Sequence, residues 1–140
     1  MKRILLILVL LIIILAVLLV GMNRNREIKE GIVIRQAGIE QTIILDQIFR
    51  LQTQNFTTAR GDSFSGYSLK EILNSQNIDF KKYLVLFSTD GGSLRLNADD
   101  IANAYFIIMD ETEKPSFRLI IPTDEFGQRW MKYVKTIEVH

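Results

Sequence analysis

The chain has 140 residues, with 17 lysines and arginines against 16 aspartates and glutamates and a formal net charge of +1. This near-neutral balance, without a basic stripe, excludes the electrostatic signature of a nucleic-acid-binding protein. The absence of cysteine excludes disulfides, a thiolate nucleophile and thiolate metal ligands.

The first segment of the chain is strongly apolar. Residues 4–20 carry no charge, hydroxyl or amide, and a helix of this length spans about 26 Å, close to the thickness of a bilayer's hydrocarbon core. The sequence therefore predicts a transmembrane signal anchor over residues 1–22, represented by Ile4, Leu10 and Val20, in contact with the lipid bilayer. A cleaved signal peptide is the alternative, but the apolar run exceeds the usual length and no A-x-A-like cleavage site follows.

Charges beside this segment predict its orientation. Lys2 and Arg3 precede it, while Arg24, Arg26 and Lys29 follow it, so the positive-inside rule is nearly balanced. A short positive tail before a strong apolar run is typical of an anchor whose N-terminus stays inside. We therefore expect a single-pass membrane protein with an extracytoplasmic domain.

A polar juxtamembrane linker is predicted over residues 23–31, and one domain over residues 32–140. Runs of apolar and β-branched residues in this domain predict short strands. The predicted strands are 32–36, 41–45, 83–88, 93–97, 105–109, 117–121 and 136–139, and residues 53–59 are rich in residues that favour strands. Turns are predicted at 37–38 and 90–92, where Gly supplies a positive φ.

Short helices are predicted between the strands. Apolar spacing predicts one over residues 45–51. Ser68 and Glu71 have the spacing of a capping box that opens the next helix, and Asn97 with Asp100 begins another. By composition, residues 61–66 are a loop, and residues 128–134 form a turn or short helix. The fold class is α+β, with one N-terminal transmembrane helix followed by a compact mixed-sheet domain.

Four motifs resemble one known family. Residues 66–73 (GYSLKEIL) are similar to the G-x-x-L-x-x-x-L helix opening of the oxidoreductase molybdopterin-binding domain, the fold of sulfite oxidase. Residues 90–96 (DGGSLRL) resemble its D-G-Y hairpin, and residues 117–122 (FRLIIP) its P-x-R-L-V-V-P strand. Residues 129–139 (RWMKYVKTIEV) resemble its K-W-V-K-x-L-x-x-I-E-V ending. The resemblance covers about residues 32–139 and implies a shortened domain of sulfite-oxidase type.

Departures from the family pattern argue against its chemistry. Catalytic members ligate molybdenum through a cysteine before the G-x-x-L motif, whereas residues 57–65 read TTARGDSFS here. The chain also lacks the length of the enzymes' pterin-binding loops. The resemblance therefore transfers no catalytic residue and no cofactor.

Other chemistries find little support in the residues. The acidic pair Asp99 and Asp100 fits a helix N-terminus, and the charged stretch 110–113 fits a solvated loop. His140 is the one histidine, and neither a G-x-S-x-G nor a phosphate-binding motif occurs. No catalytic, cofactor-binding or metal-binding residue is assigned. Five aromatic residues are predicted to lie in the core: Tyr105, Phe106, Phe117, Trp130 and Tyr133.

Residues 60–66 lie where the family would place its metal site, and they form the candidate loop for a ligand or a partner. Its members are Arg60, Gly61, Asp62, Ser63, Phe64, Ser65 and Gly66. The tripeptide 60–62 is also one that integrins read, but matches of three residues arise readily by chance. An ordinary surface loop is the alternative interpretation.

These observations lead to two functional hypotheses. The first is a membrane-anchored, non-catalytic interaction module or accessory subunit with a protein partner and no nucleic acid. The alternative is a small-ligand binder that uses a degenerate cofactor pocket, with Arg60, Arg95, Arg118 and Arg129 as candidate contacts. An active molybdenum enzyme is disfavoured because the thiolate ligand is missing.

Overall fold

Nine β-strands and several short helices alternate along the residues described by the computed structural model, which are 11–14, 30–110 and 114–140. The strands are β1 (Gly31–Gln36), β2 (Ile39–Ile44), β3 (Gln54–Thr57), β4 (Ser63–Ser68), β5 (Leu84–Ser88), β6 (Ser93–Leu96), β7 (Tyr105–Met109), β8 (Ser116–Ile120) and β9 (Met131–Val139). The helices are α1 (Leu45–Phe49), α2 (Leu69–Ser75) and α3 (Ala98–Ala102), and residues 11–14 are also helical. The predicted mixed sheet with short helices is therefore present.

The long strand β9 organises the sheet. Strands run in the order β2-β1-β9-β8-β7-β4-β3, and β5 pairs with both β6 and β9. The first half of β9 pairs with β8, and its second half lies parallel to β1 and antiparallel to β5. Tyr133, with a φ of +56°, sits where these partners change. An irregular residue of this kind bends a strand and lets it serve two partners.

One hydrophobic core joins the strands to the helices. Alternate residues of β1, β5, β7, β8 and β9 point into it, and α2 contributes its apolar face. Its fully buried members include Ile32, Leu69, Leu86, Phe106 and Ile137. Because successive strand residues face opposite sides of a sheet, this alternation also defines an outer face.

Local turn and cap signals formed as predicted. Ala37 and Gly38 both have positive φ, as a two-residue hairpin turn requires. The Ser68 hydroxyl accepts a hydrogen bond from the Glu71 N–H at 3.4 Å and starts α2. The Glu71 carboxylate, however, accepts from Gln54 Nε2 at 2.8 Å instead of reaching back to its cap.

Two local predictions were wrong. Residues 63–66 of the predicted loop 61–66 belong to β4, which pairs with β3 on one side and β7 on the other. Residues 131–134 belong to β9 and not to a turn or short helix. In both cases pairing with neighbouring strands outweighs weak local preference: β3 and β7 for the first segment and β8 for the second. Residues 111–113 of the predicted charged loop lie outside the described residues.

The predicted transmembrane helix over residues 1–22 is corrected. Of these residues the structure describes only 11–14, so Ile4, Leu10 and Val20 lie outside the described part. No helix among the described residues is long and apolar enough to cross a membrane. The longest of the three labelled helices, α2, has 7 residues and spans about 10 Å, against about 30 Å of hydrocarbon. The predictions of a single-pass membrane localisation and of a membrane anchor in the fold class are corrected with it.

Candidate binding face

The candidate segment 60–66 is divided between a hairpin turn and a strand. The turn is closed by the Gly61 N–H, which donates to the Thr58 carbonyl at 2.9 Å, and by the Thr58 N–H, which donates to the Asp62 carbonyl at 2.8 Å. A further bond from the Ala59 N–H to the Pro122 carbonyl, at 2.9 Å, ties the turn to the end of β8. The turn is therefore anchored to the sheet at its base.

The seven candidate residues differ in surroundings. Arg60, Gly61, Asp62, Ser63 and Ser65 are exposed, whereas Phe64 is half-buried and Gly66 is buried. A Cβ on Gly66 would lie 2.6 Å from the carbonyl oxygen of a β7 residue, so only glycine allows β4 to approach β7 this closely. The structure thus singles out the strand part of the segment, and Phe64 above all.

Phe64 belongs to the outer face of strands β3, β4, β7 and β8. Phe117 and Leu119 of β8 point into the core, so the alternate residues Arg118 and Ile120 point outward. Ile120 is completely buried, yet it does not belong to the main core cluster. Side chains on the outer face must therefore cover it.

Four half-buried aromatic side chains line this face, and we call them the aromatic row: Tyr105, Phe56, Phe64 and Trp130. Phe56 stacks on Tyr105 with ring centroids 4.2 Å apart. Phe56 and Phe64 are cross-strand partners with centroids 6.0 Å apart. Phe64 meets Trp130 edge to face at 6.1 Å. These separations fall in the range of favourable aromatic contacts, so the row is a continuous surface.

Trp130 is fixed at the end of the row. Its indole N–H donates to the Ile121 carbonyl at 2.9 Å. Gly127, with a φ of +65°, comes so close that a Cβ there would lie 3.0 Å from the indole ring. A fixed aromatic ring presents contact area at low cost in conformational entropy.

Arg118 lies next to Trp130 and has no acidic partner among the described residues. Its guanidinium carbon is 5.5 Å from the centroid of the indole ring, within the range of a cation–π contact. Its Nε is buried and makes no hydrogen bond. The outer face therefore places a positive charge, without a carboxylate partner among the described residues, beside apolar rings.

The other candidate arginines occupy different surroundings. Arg95 lies over the Tyr83 ring, with its guanidinium carbon 3.7 Å from the centroid. Arg129 Nη1 pairs with Asp100 at 2.6 Å, and Arg129 Nη2 pairs with the buried Asp124 at 2.5 Å. These hydrogen bonds, with Asp124 first, raise the pKa of Arg129 above its ordinary value. Each of these arginines therefore has its own partners, a tyrosine ring for Arg95 and two carboxylates for Arg129.

Surface grooves on the described residues include one that borders the aromatic row and two that do not. The largest, about 580 Å³, is lined by Arg35, Lys81 and His140 among others. A second, of about 240 Å³, lies between Asp90 and Lys132 and is also lined by Trp130 at the end of the aromatic row. A third, of about 260 Å³, borders the β1–β2 turn. None of the three includes a residue of 60–66.

The acidic residues serve structural roles. Asp99 and Asp100 lie in the first turn of α3, as predicted for a helix N-terminus. Among the described residues, no three or more His, Cys, Asp or Glu side chains are grouped so that they could hold a metal ion. The Asp90 carboxylate accepts hydrogen bonds from the Ser88 hydroxyl and from the Gly92 N–H. These bonds, the one from Ser88 most of all, lower the pKa of Asp90.

Only some of the aromatic residues predicted to lie in the core are fully buried there. Phe106 and Phe117 are in the core as predicted, and Trp130 is half-buried and packs against it, whereas Tyr105 and Tyr133 are half-buried outside the core cluster. Phe56 and Arg118 were not recognised as members of a common surface. A signal did exist, because Phe56 and Phe64 are equally distant from the Arg60 turn, which is the spacing of cross-strand partners in a hairpin.

No known protein family matches the chain, and a comparison with curated proteins finds no significant relative.

Proposed function

We propose that this domain is a non-catalytic protein-interaction module and that the aromatic row binds a segment of a partner protein. The observation that carries the proposal is the position of four half-buried aromatic side chains on one continuous outer face. Aromatic residues and arginine are enriched at protein interfaces and among the residues that contribute most to binding.

The surroundings of the row support this function. Tyr105 lies on β7, whose other face carries the core residue Phe106, and Phe56 and Phe64 lie on the β3–β4 hairpin, which pairs with β7. Trp130 is fixed by one hydrogen bond and by Gly127. A preorganised surface loses little conformational entropy when a partner binds.

We also propose, from the four sequence motifs, that the domain is related to molybdopterin-binding domains. In that interpretation, residues 57–65 replace the cysteine-bearing segment of the enzymes. Here the same segment supplies Phe64 to the aromatic row. A position used for metal chemistry in catalytic relatives would then serve contact with another protein.

A matched pair of variants tests the proposal. Phe64→Thr removes a ring from the row while keeping a residue that favours strands. Ile39→Thr makes the same kind of change on β2, at the opposite edge of the sheet, where Ile39 is 71% exposed. The full chain and both variants are expressed in the native cells, purified gently, and analysed by mass spectrometry for proteins in fixed ratio.

The expected result is a partner present with the wild type and Ile39→Thr but lost with Phe64→Thr. Binding of the two purified proteins must then show the same difference. Equal retention by Phe64→Thr, with an unchanged thermal melt, would refute the role of the aromatic row. Recovery of the protein without any partner would refute the interaction module itself.

A further inference from the structure

We infer that the partner segment carries an acidic side chain whose carboxylate binds the Arg118 guanidinium beside Trp130. This inference rests on the proposed function, because it names the chemistry that the aromatic row would recognise. It depends on one side chain, Arg118, and on what the described part of the structure places around it.

The first step is the charge balance of Arg118. Other arginines near this end of the sheet are compensated: Arg129 pairs with two aspartates. Arg118 is half-buried on β8 and forms no ion pair or hydrogen bond through its side chain among the described residues. A partly desolvated cation without a counter-charge favours an anion brought by a ligand.

The second step is the orientation of the guanidinium. Its Nε is enclosed and the indole of Trp130 lies 5.5 Å away, so the base of the head group is held between β8 and the ring. The terminal nitrogens are not enclosed in this way and are left for a ligand. A planar guanidinium with two free terminal nitrogens matches the two oxygens of a carboxylate.

The third step distinguishes a carboxylate from a phosphate. A phosphate group carries nearly two negative charges and is usually bound by several cations. Among the described residues, Arg118 is the one arginine in contact with a ring of the aromatic row and without a carboxylate partner, since Arg129 is engaged with Asp124 and Asp100 and Arg60 is exposed in the turn. A single positive charge beside apolar rings suits an acidic residue flanked by apolar ones.

A display library of random short peptides, selected on the immobilised full chain, provides the probe. Selected peptides are expected to combine Asp or Glu with apolar or aromatic residues. Each is then synthesised and its Kd measured by fluorescence anisotropy with the wild type, Arg118→Met and Phe64→Thr. Arg50→Met is the control, because Arg50 is exposed at the end of α1.

Arg118→Met is expected to weaken an acidic peptide by about 10- to 100-fold, the range of a charge-assisted hydrogen bond. Replacing the peptide's Glu by Gln should weaken wild-type binding by a similar factor and add little when combined with Arg118→Met. Arg50→Met should leave the Kd unchanged. Thermal melts of each variant show that the comparison is made between folded proteins.

The possible failures are distinguishable. Peptides that depend on Phe64 but carry no acid, or that ignore Arg118→Met, would overturn the inference and leave the proposed function standing. Selection of no peptide that depends on Phe64 would argue against both. Displacement of the peptide by inorganic phosphate, lost in Arg118→Met, would show a general anion site and overturn the assignment to an acidic side chain.

Discussion

Removing the guanidinium of Arg129 should destabilise the domain markedly. Arg129→Met leaves Asp124, whose side chain is only 8% exposed, as a buried carboxylate without its partner. Breaking a fully buried pair costs about 3–5 kcal/mol and an exposed pair about 0–1 kcal/mol. Because the Arg129 side chain is 39% exposed, an intermediate loss of about 2–3 kcal/mol in the free energy of unfolding is expected.

Arg129→Met also removes a link between two parts of the fold. Arg129 joins the 122–130 segment to Asp100, which lies in the capping box of α3. The pKa of Arg129 is raised in the folded protein. The contribution of Arg129 to stability is therefore complete below the ordinary arginine pKa and is lost only as the pH rises through the higher folded pKa. Stability between pH 5 and 9 should therefore not depend on titration of this group.

Equilibrium denaturation in urea measures the effect. Far-UV circular dichroism reports unfolding independently of Trp130, which is adjacent to the mutation, and the melting temperature should fall by about 10–15 °C. Arg50→Met should change stability by less than about 0.5 kcal/mol. Adding Asp124→Asn to Arg129→Met should restore part of the loss, because the uncompensated charge is removed. A loss below about 0.5 kcal/mol for Arg129→Met would refute this reasoning.

Three further predictions concern local structure. Gly66→Ala should cost about 1–3 kcal/mol in a chemical melt, since its Cβ would lie 2.6 Å from the Phe106 carbonyl oxygen; an unchanged midpoint would show that β4 and β7 can separate freely. Asn97→Ala removes the side chain that accepts from the N–H at the third position of α3, and a loss of about 1 kcal/mol is expected by urea titration, whereas Asn97→Asp should lose little. Because the pKa of Asp90 is lowered, Asp90→Asn should be less stable than wild type at pH 7, and the difference should vanish as the pH falls through the folded pKa, below about 4; a pH-independent difference would contradict this.

Local chemistry predicted the turns and the helix starts. Ala37 and Gly38 adopt the positive φ angles that their turn requires, and Ser68 and Asn97 cap their helices through their own side chains. Each of these features depends on residues within three or four positions of one another. Short-range hydrogen bonds and backbone preferences are sufficient to specify them.

The apolar strands were also predictable from sequence. Residues 84–88 and 105–109 are runs of apolar and aromatic residues, and both became strands of the core. The pattern identifies such strands because burial of one face requires it. It does not identify their neighbours, which depend on how the whole chain folds.

The sequence by itself determined an α+β domain with its apolar strands, its turns and its helix caps. Only the tertiary structure decided that the serine- and glycine-containing stretch 63–68 is a strand, since β3 and β7 supply the pairing that its composition does not favour. It also decided the aromatic row and the position of Arg118 beside Trp130. Phe56 and Phe64 share a hairpin whose spacing is local, but Tyr105, Arg118 and Trp130 come from parts of the chain far from it. Their approach depends on long-range strand pairing, which leaves no local pattern by which the whole surface can be recognised.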